Sequence, residues 1–483
     1  MPSLDQAKRP AGTGLVAGAL LALVSCLIGG VPEAAAGSGP LDRVQLHRNA
    51  NRGVPYLPVA RKGADAGDGH LVVRPVKTIE LDGDPLQNVH AALRPIDADG
   101  DGAFEFAHFN GTRFLQVWSA SGRKLWRVED PDGRAHDPAS GTQRDTAAVL
   151  DLDGDGRQDI AHCWDRDGQR SLVFRRGLDG KVIRRTEVGA GGRACQMAAF
   201  HVAGREEPLL LVAGASRGRD RCGARNWVGY WAQTEAYDLE QRLLWRRATC
   251  DAGHYAWPVD ADADGRAEAI YVGKYLLRPD GRLACTLAGW PKGDHVDGMT
   301  VADLDPARPG LEAVAVGQSG AAMFDAESCQ ALWRIPSSTI GNPQHVAAAR
   351  LDPSSSLPVL AIEERGSERG ARTFIVSPQG RVLAATRTGF MPIQNADLDG
   401  ALGVDELVGS FGQVMDRHAG IRLDRSWYWN LKGKRTRETN RGPYPTSYDR
   451  WQAFPLVFDH DGDGTDEIVQ WGQSLIVVGK VTN

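Results

Sequence analysis

The feature that most constrains this chain is an acidic loop that recurs along it. Four copies are complete: Asp97-Ala-Asp99-Gly-Asp101-Gly, Asp151-Leu-Asp153-Gly-Asp155-Gly, Asp260-Ala-Asp262-Ala-Asp264-Gly and Asp459-His-Asp461-Gly-Asp463-Gly. Each carries a further carboxylate at its ninth position: Glu105, Asp159, Glu268 and Glu467. Weaker copies start at Asp303 and at Asp397, the latter with Ala401 where the third carboxylate should stand. The run from Ala347 to Pro353 keeps only Asp352, and a poorer copy lies near His201. Together these make eight units whose starts lie 43 to 62 residues apart.

Every unit reads alike. An apolar stretch enters the acidic loop, a second one leaves it, and a hairpin turns before a Trp or Leu, as in Phe114 to Trp126 and Ala322 to Trp333. Short strands bounded by Gly and Asp turns at this period describe four-stranded propeller blades. No helical stripe of useful length competes. The expectation is an all-β, eight-bladed β-propeller over residues 71–483. The 57 Gly and 26 Pro supply turns, and 42% hydrophobic residues suffice for a core. A formal net charge of −5 argues against a dedicated nucleic-acid binder.

The first segment reads as an address. Lys8 and Arg9 precede an apolar run from Gly14 to Val31, followed by Ala34-Ala35-Ala36. This is the pattern of a signal peptide over residues 1–36, and implies a secreted or periplasmic protein with no membrane span after its removal. An uncleaved anchor is an alternative, as is a lipoprotein lipobox at Leu23-Val24-Ser25-Cys26. The apolar run continues past Cys26, which counts against the lipobox. Residues 37–70 lack a period and read as a linker or N-terminal strap. Six cysteines remain, an even number that suits disulfides in an exported chain, with the pairing left open.

Carboxylates at alternate positions around a Gly turn place several hard oxygens about one cation, as calcium prefers. The loops resemble the calcium loops of FG-GAP and VCBS-type propellers. Asp97, Asp99, Asp101 and Glu105, with Asp151, Asp153, Asp155 and Asp159, Asp260, Asp262, Asp264 and Glu268, and Asp459, Asp461, Asp463 and Glu467, are therefore candidate structural Ca2+ ligands. In such a propeller the strand before the loop is innermost, so residues six to eight positions before the first Asp emerge at its other end. That offset selects His254, His295, Asp297, Arg144, Asp145, His90 and His345 for the mouth of a central funnel. The second strand returns there with Lys274, Gln318 and Glu363.

Within these segments lie Gly253-His-Tyr-Ala-Trp-Pro-Val-Asp-Ala-Asp-Ala-Asp-Gly265 and Asp294-His-Val-Asp-Gly-Met-Thr-Val-Ala-Asp-Leu-Asp-Pro-Ala-Arg-Pro-Gly-Leu-Glu312. With Tyr230-Trp-Ala-Gln-Thr-Glu-Ala-Tyr-Asp238 upstream, they resemble the core of the eight-bladed rhamnogalacturonan lyases of polysaccharide lyase family 11. The similarity runs from about Val89 onward. It implies a funnel calcium held by His254, His295 and Asp297, with Gln318 where the family has Glu. The family's substrate-binding arginine falls on or near His345, and its C-terminal lysine has no clear counterpart.

Such a site would perform β-elimination on a uronic-acid polymer. The carboxylate beside C5 is neutralised by a cation while a base removes the C5 proton. His345 is the first candidate base, Lys274 the second. Arg144, Tyr230, Trp231 and Tyr255 are candidate contacts to substrate. So are Arg435, Arg437 and Arg450 of a basic insertion between Lys432 and Arg450. The expected partner is an acidic polysaccharide and the chain is expected to act as a monomer. A second class stays open: a non-catalytic, calcium-stabilised propeller that binds glycan or protein in adhesion.

Overall fold

The computed structural model describes residues 73–80, 91–110, 114–129, 147–166, 169–190, 195–214, 231, 233–351, 355, 357–364, 372–385, 393–400, 405–409, 413–415, 421–422, 456–471 and 475–481. Among the described residues the fold is all-β apart from one helical turn, Ser337–Ile340, and it contains eight four-stranded antiparallel sheets. No described helix is long and apolar enough to cross a membrane. Seven sheets use four consecutive strands each. The fourth, for example, is Ala256–Val259, Ala269–Val272, Tyr275–Leu277 and Leu283–Thr286. The eighth joins the first and last described strands: Val73–Glu80 pairs with Leu475–Val481, which continues into Glu467–Trp471 and Leu456–Phe458. The architecture is that of a β-propeller.

Among the described residues the first strands are mostly buried and the fourth strands lie mostly toward solvent. Ala147–Leu150 and Pro343–Ala349 are buried throughout, whereas Val382–Ala385 is exposed throughout. The first strands of successive sheets pack together, Gly298–Ala302 against Pro343–Ala349 and the latter against Ile393–Ala396. The strand that enters each acidic loop is therefore the central one. Apolar clusters sit between neighbouring sheets. Tyr255, Trp257 and Tyr271 of the fourth meet Met299, Ala313 and Phe324 of the fifth, and Ile79, Val469 and Ile476 of the eighth meet Leu93 and Phe106 of the first.

A second seam lies at the rim, and it explains the recurring Trp. Trp126 Nε1 donates to Gly177 O of the next sheet at 2.6 Å, Trp245 Nε1 to Pro279 O at 2.8 Å, and Trp333 Nε1 to Pro378 O at 2.7 Å. Each indole lies on the turn glycine of that next sheet. Gly281 has φ +81°, and a Cβ there would stand 2.5 Å from the Trp245 ring. Between the fourth and fifth sheets a disulfide, Cys285–Cys329, adds a covalent tie. Cys163 and Cys250 are disulfide-bonded as well.

Two buried histidines on equivalent second strands must be neutral. His108 Nδ1 accepts from Gln116 Nε2 at 2.9 Å, and His162 Nε2 accepts from Arg175 Nε at 3.0 Å. Burial, reinforced by Arg127 and Arg175 respectively, pushes each imidazole down to about 3. An unfolded histidine takes up its proton near pH 6.5, so the stability these groups contribute is complete above that pH and lost as pH falls toward 3. Stability should fall by about 1.4 kcal/mol per pH unit for each histidine over this window. Buried carboxylates raised by desolvation, such as Glu105 and Glu406, contribute the opposite slope over this window, so the histidine part is read as a difference: in urea titrations from pH 7 to 4.5 the parent should lose more stability, or gain less, than a His108→Gln, His162→Gln double variant. In a separate test, Gly281→Ala should cost about 1–3 kcal/mol through its left-handed backbone and the displaced indole, read as a lowered Tm.

Candidate functional site

The central strands of the fourth, fifth and sixth sheets begin at the end opposite the acidic loops, and their first residues meet there. Gly253 makes the meeting close. Its Cα takes φ +115°, and a Cβ would stand 2.0 Å from Val296 O. Through this gap the segment before the fourth sheet forms a parallel bridge with the segment before the fifth, His254 N donating to Val296 O and Val296 N to Ala252 O, each at 3.3 Å. Trp231 fixes the same stretch from behind, its N–H donating to Gly253 O and its indole to His254 O. The His254 and His295 rings lie 5.3 Å apart, edge to face.

Asp297 is the hub. Its Oδ1 lies 2.8 Å from His295 Nε2 and 3.2 Å from His254 Nε2, while Oδ2 accepts from Gln344 Nε2 at 2.9 Å. Three sheets thus converge on one buried carboxylate. Burial would raise its pKa, but the two imidazoles outweigh burial and hold it well below the usual carboxylate range. Burial likewise opposes the charge on His295, yet the hydrogen bond and charge of Asp297 raise its pKa above the ordinary imidazole value. Beside this group Lys274 Nζ lies 3.5 Å from Asp294 O and 3.8 Å from Asp251 Oδ2. Burial lowers the Lys274 pKa against the pull of those two carboxylates.

The donor atoms of His254, His295 and Asp297 lie within 4.8 Å of one another, so these residues fit a cation. Two imidazoles and one carboxylate make a softer, less anionic set than a calcium cage. Gln318 stands exposed in the turn of the neighbouring hairpin, and it is Gln344, which no charge or motif had singled out, that touches Asp297. His345 is buried opposite Glu363 in a strand pair. Trp231 and Tyr255, the aromatic candidates for substrate contact, expose almost no surface. Both are buried in the clusters between sheets, where aromatic rings pack instead of offering a face to sugar. Arg144, Tyr230, Arg435, Arg437 and Arg450 lie outside the described residues, as do His90, Asp145, Asp352 and residues 1–72.

The acidic loops share one backbone scheme. Asp97 accepts from the N–H groups of Gly100 and Gly102, and the ninth-position Glu105 turns back to accept from Ala98 N. The Asp151 and Asp260 loops repeat it through Asp159 and Glu268. Oxygens of Asp97, Asp99 and Asp101 converge within 4.8 Å, as do those of Asp151, Asp153 and Asp159 and of Asp260, Asp262, Asp264 and Glu268. Asp155, like Asp101 and Asp264, accepts from the N–H two residues on, here Arg157 N at 2.9 Å. The weak copy also assembles three carboxylates, Asp397, Asp399 and Glu406. Burial foremost, with the neighbouring carboxylates, raises Glu105 to about 7, Asp159 to about 6 and Glu406 to about 8. Crowded oxygens of this kind fit a hard cation. Adding calcium should therefore raise Tm by several degrees and EDTA should reverse the gain, with Asp151→Asn reducing both; a Tm indifferent to calcium would leave these loops as acidic turns.

No family model matches the chain. Over 317 residues it is 27% identical to the rhamnogalacturonan exolyase YesX of Bacillus subtilis (strain 168), an alignment covering 53% of this chain and 50% of that protein. To the rhamnogalacturonan endolyase YesW of the same strain it is 25% identical over 297 residues, 50% of this chain and 46% of that protein. The chain spans about half the length of the curated relatives it matches. Among solved structures, the rhamnogalacturonan lyase of Bacillus licheniformis superposes with a TM-score of 0.57 at 18% identity, covering 90% of this chain and 76% of that one. The resemblance to rhamnogalacturonan lyases read from the motifs is thus found in sequence and in fold.

Proposed function

We propose that this protein is an exported polysaccharide lyase that cleaves a rhamnose- and uronate-containing polymer by β-elimination, and that its eight sheets form one closed ring of eight blades. The observation that carries the reading is the convergence of His254, His295 and Asp297 from adjacent central strands. The similarity to an exolyase and an endolyase of rhamnogalacturonan supports the substrate class.

In the reaction a base takes the C5 proton, the C–H electron pair forms the C4–C5 double bond, and the bond from C4 to the glycosidic oxygen breaks. Charge grows on the uronate carboxylate as this happens. A calcium held by His254, His295 and Asp297 would supply positive charge there when bound. Asp297 keeps the two imidazoles oriented, and Gln344 holds its second oxygen. Of the two candidate bases we favour Lys274. Burial already biases it toward the neutral amine, and its Nζ sits beside the segment that carries His295. The rim contacts hold neighbouring sheets together, and the carboxylates of the acidic loops would hold calcium at the end opposite the histidine group.

The neutral Gln318, where the resemblance implies Glu, favours a second reading, a propeller that binds glycan without cleaving it. Ultraviolet absorbance from the new double bond, followed over a panel of uronate polymers, decides between them. The lyase reading expects absorbance growth with rhamnogalacturonan, its loss in His295→Ala and Asp297→Ala, and a fall of about 10²–10⁴-fold in Lys274→Met with Tm nearly unchanged, whereas His295→Ala should also lower Tm because it leaves the buried Asp297 carboxylate short of a partner. Binding without absorbance supports the second reading, and full activity in both Ala variants removes the site.

A further inference from the structure

The eighth sheet is where the chain closes on itself, and its acidic loop differs from the others in what fills it. The backbone scheme is the same: Gly462 N and Gly464 N donate to Asp459 at 2.7 and 3.0 Å, and His460 N to Glu467 at 2.7 Å. By sequence the loop is as complete a calcium motif as any in the chain. Yet Lys480, from the strand Leu475–Val481, reaches back across it. Its Nζ lies 2.8 Å from Asp461 Oδ2, 2.6 Å from Asp463 Oδ2 and 3.0 Å from Glu467 Oε1. These are three of the four carboxylates expected to hold the metal. Among the described residues no lysine or arginine nitrogen forms an ion pair with the carboxylates of the loops that start at Asp97, Asp151 and Asp260.

An ammonium with three donors satisfies three carboxylate oxygens at once, each through a charge-assisted hydrogen bond. Calcium would need those same oxygens at about 2.3–2.6 Å, in the space Nζ takes, and the two cations would repel. We propose that Lys480 is the resident cation of the eighth loop, so that this loop takes no calcium and the closing sheet is held without metal. The placement has a structural consequence. Lys480 pairs with Arg74 in the register that joins the N-terminal strand to the C-terminal one, so the ammonium ties the loop to the seam between the chain ends. A calcium there would leave that seam dependent on metal supply, whereas a lysine makes the tie permanent. Lys480 is fixed by Asp463 also through the loop itself, since Asp463 Oδ1 accepts from Thr465 N and Oγ1.

The contrast between loops rests on the calcium reading of the other three, and the test separates the two. Full-length protein is equilibrated with calcium and desalted, and bound calcium per chain is measured by atomic emission for the parent, Asp155→Asn, Asp151→Asn, Asp463→Asn and Lys480→Met, with Tm in calcium and in EDTA. The proposal expects Asp463→Asn to hold as much calcium as the parent, Asp151→Asn to hold one fewer, and Lys480→Met to gain one and to show a larger EDTA-induced drop in Tm than the parent. If Asp463→Asn loses one calcium, or a folded Lys480→Met gains none, Lys480 does not fill the loop. If Asp151→Asn and Asp155→Asn lose none while Lys480→Met gains one, the proposal stands and the calcium reading of the Asp151 loop fails. Should Lys480→Met fail to fold, the comparison of Asp463→Asn with the parent decides.

Discussion

Among the described residues, buried apolar clusters lie between neighbouring sheets from the eighth through the first to the seventh, and that constraint organises much of the rest. A four-stranded sheet cannot bury an apolar face alone, so it must pack against a neighbour. Packed around a common centre, the sheets bring their first strands together and leave their fourth strands at the rim. The apolar clusters between sheets carry the stability, at about 25 cal/mol for each Å² of apolar surface removed from water. The rim indoles and the Cys285–Cys329 bridge tie neighbouring sheets together. Polar chemistry is then pushed to the two ends of the first strands, with the acidic loops at one end and the histidine group at the other.

At the histidine end the energetics invert. Burying the Asp297 carboxylate is expensive unless its charge is answered, and the answer comes from three different sheets: His254, His295 and Gln344. Removing any one donor leaves the carboxylate under-satisfied, so the site is stable only when the sheets are in register. This couples the site to the fold without requiring a mobile part. It also explains Gly253, since a side chain there would push apart the two segments that deliver the imidazoles.

Much of this was legible in the sequence because strands have a fixed period and antiparallel topology fixes which end a residue leaves by. Counting back from the first Asp of each acidic loop therefore found His254, His295 and Asp297. The same rule did not single out Gln344, because an uncharged residue of ordinary type carries no chemical signal until its neighbour is known. The burial of Trp231 and Tyr255 was not legible for the opposite reason: an aromatic ring has the same composition whether it faces sugar or core, and only packing tells them apart. Lys480 was invisible because its partners lie across a sheet, in contacts that sequence spacing does not encode. The basic insertion between Lys432 and Arg450 lies outside the described residues, and its reading stays where the sequence left it.

The central claim is that the charge of Asp297, held among three sheets, serves elimination and not merely assembly. Asp297→Asn keeps the shape and two hydrogen-bonding atoms while removing that charge. Initial rates of double-bond absorbance on rhamnogalacturonan, measured beside the Tm of the same preparation, test it most directly. The account predicts that elimination falls by at least about 100-fold with the Tm changed by only a few degrees. A variant that eliminates at the parent rate would contradict it.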